Sequence, residues 1–190
     1  MRKIIAALRV SLDGFIEGPN GEVDWIDTWE DPFVLTPQID TCILGGGMYP
    51  GYEQYWSAVI ANPAGILPFT GKSASQGEID YARFAEHAPH VVLSTTLAKV
   101  AWKNTRIVRD IEDIRALKQQ PGKDMYAVGG ATLVSNLINL GLINELRLVI
   151  IPIVLGGGKA LFKDVTGRHP LKFIEAKPLN AGMVRLTYCM

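Results

Sequence analysis

The stretch Met125-Tyr126-Ala127-Val128-Gly129-Gly130-Ala131-Thr132-Leu133 carries a short apolar run directly into two glycines, after which a helical pattern begins. Such a junction leaves the N–H groups of the first helical turn unpaired and places the positive end of the helix dipole at the tip of a strand. Gly129 and Gly130 lack a Cβ atom, so phosphate groups can approach their backbone closely. The stretch therefore predicts either a phosphate-binding junction or a tight turn that binds nothing, because a glycine pair is less specific than a full dinucleotide fingerprint.

The residues after the glycine pair predict a helix followed by a buried strand. Apolar side chains recur at three- and four-residue spacings over residues 133–140, and Gly141 is a typical C-terminal stop. Residues 145–151 then alternate at first and become continuously apolar, which is typical of a strand inside a sheet. This part of the chain reads strand, glycine turn, helix, buried strand.

The remainder of the chain predicts an α/β fold with a mixed, mostly parallel sheet. Further strands are predicted over residues 3–10, 41–44, 90–94 and 106–108, and further helices over 48–61, 78–86 and 110–119. Early strands that alternate with helices are expected to be parallel. Two late strands, predicted over residues 171–177 and 183–189, have only short links, so at least one is antiparallel. We expect a single domain over residues 1–190, with helices that flank the sheet.

Composition excludes several classes of function. The chain has 190 residues, 48% hydrophobic residues and a mean hydropathy of +0.15, which favours one compact domain. Lys plus Arg and Asp plus Glu number 19 each, so we expect no nucleic-acid or membrane partner. Cys42 and Cys189 form no metal-ligand or disulfide pattern, and Arg9 and Asp13 interrupt the N-terminal apolar run too early for a signal peptide. We expect a cytoplasmic protein with no metal site.

Three predicted strand ends carry small or hydroxyl residues. They are Gly45-Gly46-Gly47, Ser94-Thr95-Thr96 and Gly129-Gly130-Ala131-Thr132. Ligands of open α/β sheets bind beyond the carboxyl ends of the strands, so three such ends on one edge predict a groove for an extended anionic cofactor. The glycines match neither the Rossmann fingerprint nor a P-loop.

Several motifs resemble the dihydrofolate-reductase-like family typified by the C-terminal reductase domain of bacterial riboflavin biosynthesis. They are Ser11-Leu12-Asp13-Gly14-Phe15-Ile16, Asp24-Trp25, Val92-Leu93-Ser94, the run from Gly129 to Leu133, residues 141–148, and residues 152–162. The resemblance covers nearly the whole chain. It implies a mixed-sheet domain, commonly a homodimer, that binds NADPH, with NADH as the other option. It further implies reduction of a small-molecule substrate, of the type 5-amino-6-(5-phosphoribosylamino)uracil.

The resemblance also implies which residues hold the cofactor and a cis peptide bond between Gly129 and Gly130. Ala7 and Leu8 would meet the nicotinamide, and the loop 11–16, with Gly14, Phe15 and Ile16, would cover the reacting ring. Gly45, Gly46, Gly47 and Met48, together with Ser94, Thr95 and Thr96, would hold the adenosine end. The pyrophosphate would lie against Val128, Gly129, Gly130, Ala131, Thr132 and Leu133.

The chain departs from the family pattern where phosphate-binding arginines are common. Gly46, Gly47 and Thr95 stand at those positions and offer no positive charge. We therefore expect NADPH to bind with only a weak preference over NADH, unless Lys99 or Lys103 supplies the missing charge.

The long loop from Ser11 to Pro32 contains the one candidate catalytic residue, Asp13. Its carboxyl group could donate or orient a proton, or it could cap the loop through backbone hydrogen bonds, as Asp often does in turns. The length and glycines of the loop predict that it is more mobile than the sheet and orders over bound nicotinamide.

We expect a pyridine-nucleotide-dependent reductase, since hydride transfer needs little from the protein beyond positioning, exclusion of water and a proton source. One alternative is a dihydrofolate reductase, which would need a buried carboxylate for the pterin. Another alternative is an oligomeric nucleotide-binding module without catalysis.

Overall fold

A computed structural model describes residues 1–190 as ten strands and four α-helices. The strands are β1 (Ile4–Ser11), β2 (Phe15–Glu17), β3 (Ile39–Gly45), β4 (His90–Leu93), β5 (Thr105–Val108), β6 (Asp124–Gly129), β7 (Glu145–Ile151), β8 (Lys159–Ala160), β9 (Lys172–Pro178) and β10 (Val184–Cys189). The helices are α1 (Tyr49–Ala61), α2 (Gln76–His87), α3 (Ile111–Leu117) and α4 (Ala131–Asn139). No helix is both long and apolar enough to span a membrane.

Eight strands form one sheet in the order β5-β4-β3-β6-β1-β7-β10-β9. The first six strands in this order are parallel to their neighbours, whereas β10 runs antiparallel to both β7 and β9. The predicted mostly parallel sheet with antiparallel C-terminal strands is therefore confirmed. The strand β1 lies between β6 and β7, so the first strand of the chain is central in the sheet.

Each face of the sheet carries its own hydrophobic core. The alternation of side chains along a strand sends Ala6 and Leu8 of β1 to one face and Ile5 and Ala7 to the other. Helices α3 and α4 cover the first face, and α1 and α2 cover the second. Helices on both faces explain why the parallel strands are apolar on both sides.

A second, two-stranded sheet of β2 and β8 was not predicted. Phe15 pairs with Ala160 and Glu17 pairs with Lys159, so the start of the loop after β1 is attached to the segment after β7. Strands of three and two residues are too short to show a period in the sequence, which explains why this pairing was missed.

The helix starts follow local signals in the sequence. Asp110 caps α3, because its side chain accepts a hydrogen bond from the Glu112 N–H. Helix α2 begins two residues earlier than predicted, since Ser75 and Glu78 form a capping box around its first turn.

Candidate active site

A groove of about 1050 Å³ runs across the carboxyl ends of β1, β3, β4 and β6. This volume lies at the upper end of the range for single small-molecule sites, so the groove has room for a cofactor and a substrate together. One end lies near Ser94 and Arg109, and the other end is lined by aromatic side chains.

The groove brings together most of the residues that the sequence predicted for cofactor binding. Those that line it are Ala7, Leu8, Ile16, Gly45, Gly46, Gly47, Met48, Ser94, Thr95, Val128, Gly130, Ala131, Thr132 and Leu133. Four of the predicted residues do not line it, namely Gly14, Phe15, Thr96 and Gly129. Gly14 and Phe15 are engaged with the segment at Ala160 and Leu161, and the Thr96 N–H donates to the Ser94 Oγ within a turn.

The glycine junction presents Gly130 to the groove. The peptide bond between Gly129 and Gly130 is cis, as the resemblance implies. A Cβ atom at Gly130 would meet no protein atom within 4 Å, and its φ of −82° is ordinary for any residue. Gly129 instead packs inward, where a Cβ atom would lie 3.2 Å from the Met48 Sδ. The open space over Gly130, at the uncapped start of α4, fits an approaching phosphate.

Arg109 supplies the cation that the sequence interpretation did not find. Its Nη1 donates to the Ser94 carbonyl oxygen at 2.5 Å, and its Nη2 donates to the Leu97 carbonyl oxygen at 2.8 Å. Arg109 lines the groove, whereas Lys99 and Lys103 do not. The expectation of a weak preference for NADPH rested on the lack of positive charge at this end, and Arg109 removes that premise. Its position directly after β5 was the available signal, because β5 and β4 end on the same edge of the sheet.

Aromatic residues line the opposite end of the groove. They come from the loop before β3, from α1, from the segment before α2, from α2 and from β6, and they are Trp29, Phe33, Tyr52, Tyr55, Trp56, Phe69, Tyr81 and Tyr126. The Trp29 and Tyr55 rings lie edge to face with centroids 6.5 Å apart, and Phe69 is 52% exposed at the rim. These flat surfaces suit the faces of a planar ligand.

Two tyrosines of this end are held in their neutral form. The Tyr126 hydroxyl donates to the Ala7 carbonyl oxygen at 3.1 Å, and burial raises the pKa of Tyr126. The Tyr55 hydroxyl donates to the Glu78 carboxylate at 2.6 Å, and burial together with this carboxylate raises the pKa of Tyr55. Both phenols therefore act as hydrogen-bond donors at neutral pH.

Asp13 lies outside the set of residues that line the groove. Its carboxylate accepts hydrogen bonds from the Ser11 Oγ at 2.6 Å, the Gly156 N–H at 2.8 Å and the Leu155 N–H at 3.2 Å. The Ser11 hydroxyl, followed by these backbone groups, lowers the pKa of Asp13. These contacts favour the structural alternative, in which Asp13 ties the loop after β1 to residues 155–156, over a role as proton donor.

Comparison with known proteins assigns the chain to a family. Residues 2–184 match the family described as the RibD C-terminal domain. The chain belongs to the RibD C-terminal domain family. It is 38% identical over 192 residues to the uncharacterized protein YyaP of Bacillus subtilis (strain 168), with 98% of this chain and 94% of YyaP covered.

Solved structures of similar fold agree with the assignment of this chain to the RibD C-terminal domain family. A diaminohydroxyphosphoribosylaminopyrimidine deaminase/5-amino-6-(5-phosphoribosylamino)uracil reductase of Thermotoga maritima superposes with a TM-score of 0.67 at 15% identity, covering 99% of this chain and 56% of that chain. A dihydrofolate reductase of Enterococcus faecalis, complexed with NADP(H), gives a TM-score of 0.61 at 15% identity, covering 98% and 95%. These similarities establish a dihydrofolate-reductase-like fold.

Proposed function

We propose that this RibD C-terminal domain is an NAD(P)H-dependent reductase of a small-molecule substrate. The observation that carries the proposal is the single groove that joins the glycine junction at Gly130 to the aromatic end beside β1. The fold neighbours include an enzyme named as a reductase and another complexed with NADP(H), which supports a nicotinamide cofactor.

Three groups of residues in the groove would each hold one part of the cofactor. Gly130, Ala131 and Thr132 would hold the pyrophosphate at the start of α4. Arg109 and Ser94 would hold the adenosine end, with the guanidinium as a contact for a 2′-phosphate, so we propose NADPH as the preferred cofactor. Ala7 and Leu8 of β1 would hold the nicotinamide, and the bound cofactor supplies a hydride.

The protein's own contribution is position and exclusion of water. Ile16 of β2 lines the groove, and Trp29, Tyr55 and Phe69 line its aromatic end. Neutral phenols and apolar rings at this end provide a low-dielectric chamber with few groups that could react themselves. The first substrate that we propose to test is a compound like 5-amino-6-(5-phosphoribosylamino)uracil.

The two alternative functions are less well supported. A dihydrofolate reductase needs a free carboxylate for the pterin, but Asp31 of the groove accepts hydrogen bonds from Phe33 N, Leu35 N, Thr36 N and Thr36 Oγ1. The alternative of a nucleotide-binding module without catalysis was favoured by the lack of phosphate-binding arginines in the family positions. Arg109 lines the groove and offers such a contact.

The substitution Gly130→Val tests the proposal, because the new side chain would fill the groove without touching the protein. We expect the Kd of NADPH to rise at least tenfold in a protein that still folds, because φ at this position suits valine. The thermal midpoint should fall modestly, since valine is a poorer residue than glycine at the start of a helix. Gly157→Val is the matched control, because Gly157 lies outside the groove and its Cβ would meet only the Pro19 Cγ at 3.8 Å. Fluorescence titration measures the Kd of NADPH for both variants. Unchanged NADPH affinity in the Gly130 variant, or no binding of NADPH or NADH by the parent protein, would contradict the proposed function.

We also propose that the chain forms a homodimer through β9. This strand pairs only with β10, and all seven of its residues are exposed. Phe173 is 59% exposed and Ile174 is 52% exposed, so both faces of the edge carry large apolar side chains.

A further inference from the structure

Residues 29–38, which we call the wall loop, carry two of the rings at the aromatic end of the groove, Trp29 and Phe33. The loop is folded around one carboxylate, since Asp31 accepts hydrogen bonds from three backbone N–H groups that follow it. Phe33 and Leu35 are buried in the core on this face of the sheet. Apolar burial holds the loop against the sheet but has no direction, so other contacts must set where the two rings stand.

Three arginines on neighbouring strands donate to carbonyl oxygens of the wall loop. The pairs are Arg9 with Glu30, Arg147 with Phe33 at 2.8 Å, and Arg185 with Pro32 at 3.2 Å. Arg9 of β1 pairs with Val149 of β7, which in turn pairs with Arg185 of β10, so these side chains lie on the same face of the sheet. Arg147 precedes Val149 by two residues and therefore shares that face.

Arg9 differs from the other two arginines because it lies in the groove itself. Its guanidinium carbon is 5.5 Å from the ring centroids of both Trp29 and Phe33, and nearby carboxylates balance its charge. Arg147 and Arg185 do not line the groove. What these two contribute to the site must therefore act through the wall loop.

Arg147 and Arg185 are each fixed between a carboxylate and the wall loop. The Arg147 Nε donates to Glu145 at 2.6 Å, and the Arg185 Nη2 donates to Glu175 at 2.8 Å. The two arginine side chains are only 11% and 10% exposed. The Arg185 Nε is buried without a partner, so loss of the Pro32 carbonyl oxygen would leave a second donor of the same guanidinium unpaired. Unpaired buried donors are unfavourable, which makes this contact costly to break.

Arg147 also restrains the backbone at Val34, where the wall loop turns. Val34 has a φ of 57°, a left-handed conformation that a β-branched residue rarely adopts. The carbonyl oxygen before Val34 accepts from the Arg147 Nη1, and the carbonyl oxygen of Val34 itself accepts from the Gln38 Nε2 at 2.6 Å. The Gln38 Oε1 accepts from the Arg147 Nη2 at 2.9 Å. One guanidinium thus restrains both peptide groups of a strained turn, directly and through Gln38.

We infer that Arg147 and Arg185 are positioning residues of the groove, which hold the wall loop and its two rings over β1 although neither arginine reaches the groove. The rings lie beside the proposed nicotinamide site, because Arg9, which they contact, follows Ala7 by two residues on the same face of β1. Strand β10, from the antiparallel part of the sheet, thereby becomes part of the site. The role of the loop in shielding the nicotinamide rests on the proposed function, whereas its attachment to the arginines does not.

Fluorine NMR of the protein labelled with 5-fluorotryptophan tests the positioning without any ligand. The chain has four tryptophans, and single substitutions by Phe assign their resonances. In Arg147→Met and in Arg185→Met we expect the Trp29 resonance to shift or broaden. The resonances of Trp56 in α1 and of Trp102, whose Nε1 donates to Ser57 of α1, should stay in place. A general loosening of the protein would instead move all of them.

The fluorescence of bound NADPH tests the consequence for the groove. In both Met variants we expect the Kd of NADPH to stay within about threefold of the parent value, because the pyrophosphate and adenosine contacts are unchanged. Quenching of the bound dihydronicotinamide by acrylamide should increase about twofold or more, because a displaced wall loop admits water and small solutes.

Arg83→Met is the matched control, because Arg83 forms an ion pair with Asp80 on the exposed side of α2, outside the groove. It should leave the Trp29 resonance and the quenching unchanged. Arg147→Lys and Arg185→Lys keep the charge with fewer donors, so we expect smaller changes in the same direction. These two variants replace the Met variants if the latter do not fold.

Three outcomes would overturn the inference. They are an unmoved Trp29 resonance in both folded variants, equal displacement of the Trp29, Trp56 and Trp102 resonances, and unchanged quenching of bound NADPH in variants whose Trp29 resonance has moved. Failure of the parent protein to bind NADPH or NADH, with the Trp29 resonance displaced in the variants, would reject the reductase proposal and keep both arginines as positioning residues of the wall loop.

Discussion

Arg109 is the residue to which we assign the proposed preference for NADPH over NADH, two cofactors that differ by a single phosphate. Its guanidinium lies in the groove and is held by the carbonyl oxygens of Ser94 and Leu97. Two carbonyl acceptors fix the orientation of the side chain and leave its positive charge uncompensated by any carboxylate. A dianionic 2′-phosphate is the group that would gain most from such a site.

We expect Arg109→Met to weaken NADPH binding about tenfold to a hundredfold and to leave NADH binding within twofold. A charge-assisted hydrogen bond contributes about 1.5–3 kcal/mol, and about 1.4 kcal/mol corresponds to a factor of ten in Kd. Titration of both cofactors into the variant measures the difference. Arg106→Met is the control, because Arg106 is an exposed residue of β5, three residues before Arg109, that does not line the groove. Equal losses for NADPH and NADH would mean that Arg109 only supports the turn at Ser94.

The residues of the site differ in how far the sequence reveals them. Gly129 and Gly130 were identifiable because a strand, two glycines and a helix follow one another within a single stretch. Arg109 was missed, because its position directly after the strand is informative only once β5 is paired with β4, which brings it beside Ser94. The position of Arg9 over the rings of Trp29 and Phe33 was not predicted, since those two residues lie in a loop with no periodic pattern.

Among the elements, α2 depends on a carboxylate that serves three purposes. Glu78 is 3% exposed and accepts hydrogen bonds from the Ser75 N–H at 2.8 Å, the Trp29 N–H at 2.8 Å and the Tyr55 hydroxyl at 2.6 Å. Burial raises its pKa, but these hydrogen bonds outweigh burial and lower the pKa overall. The same side chain thus closes the capping box, fixes the loop at Trp29 and orients an aromatic residue of the groove.

We expect Glu78→Gln to lower the free energy of unfolding at pH 7 by about 1.5–3 kcal/mol, the contribution of hydrogen bonds to a buried charge. Because the pKa of Glu78 is lower in the folded protein, its ionised form stabilises the fold above the ordinary value of 4.5, and this contribution is lost as the pH falls below it. Urea unfolding at pH 7 and pH 3.5 should therefore show a gap between parent and variant that narrows in acid. Glu86→Gln, at an exposed position of the same helix, should show no gap at either pH. A gap that widens in acid would disprove the role given to Glu78.

The loop after β1 consists of two parts with different attachments. Its beginning is bound to the segment after β7, through the Leu12 N–H to the Ile153 carbonyl oxygen at 2.8 Å, the Leu161 N–H to the Gly14 carbonyl oxygen at 3.0 Å, and Asp13. The residues from Gly18 to Ile26 are held mainly by short-range turns, such as the Gly18 N–H to the Glu22 carbonyl oxygen. The predicted mobility of the whole loop is therefore narrowed to its second part.

We expect residues 18–28 to exchange amide hydrogens faster than β1 in the absence of cofactor and to gain protection when NADPH is bound, because turns without sheet partners open locally at low cost. Hydrogen exchange read by mass spectrometry resolves this segment from residues 11–17, which should be protected in both states. Equal exchange in residues 18–28 and in β1, without cofactor, would contradict the expectation.

At the scale of elements, the sequence predicted every strand of the large sheet and every helix to within about two residues at most ends. It predicted neither β2 nor β8, because five residues in total leave no pattern. The continuously apolar run of β7 was expected inside a sheet, and β7 lies between β1 and β10, where neighbours and helices of the same chain cover it.

For the whole molecule, the exposed edge at β9 makes a prediction about assembly. By light scattering at micromolar concentration, we expect the parent protein to be a dimer and the double variant Phe173→Glu and Ile174→Glu to be monomeric, because charges on an edge strand oppose pairing with a second copy. Ile66→Glu, at a position that is 78% exposed and far from β9 in sequence, should leave the mass of the dimer unchanged. A parent protein that is monomeric under these conditions would reject the homodimer.

The central position of β1 has a consequence for folding during synthesis on the ribosome. The apolar segment Ile4–Ser11 is made well before its partners β6 and β7, which begin at Asp124 and Glu145. At a synthesis rate of roughly 5–20 residues per second, this apolar strand remains without its neighbours for on the order of ten seconds. Throughout that interval it is a natural target for chaperones and a starting point for aggregation, so the nascent chain is most vulnerable at its first strand.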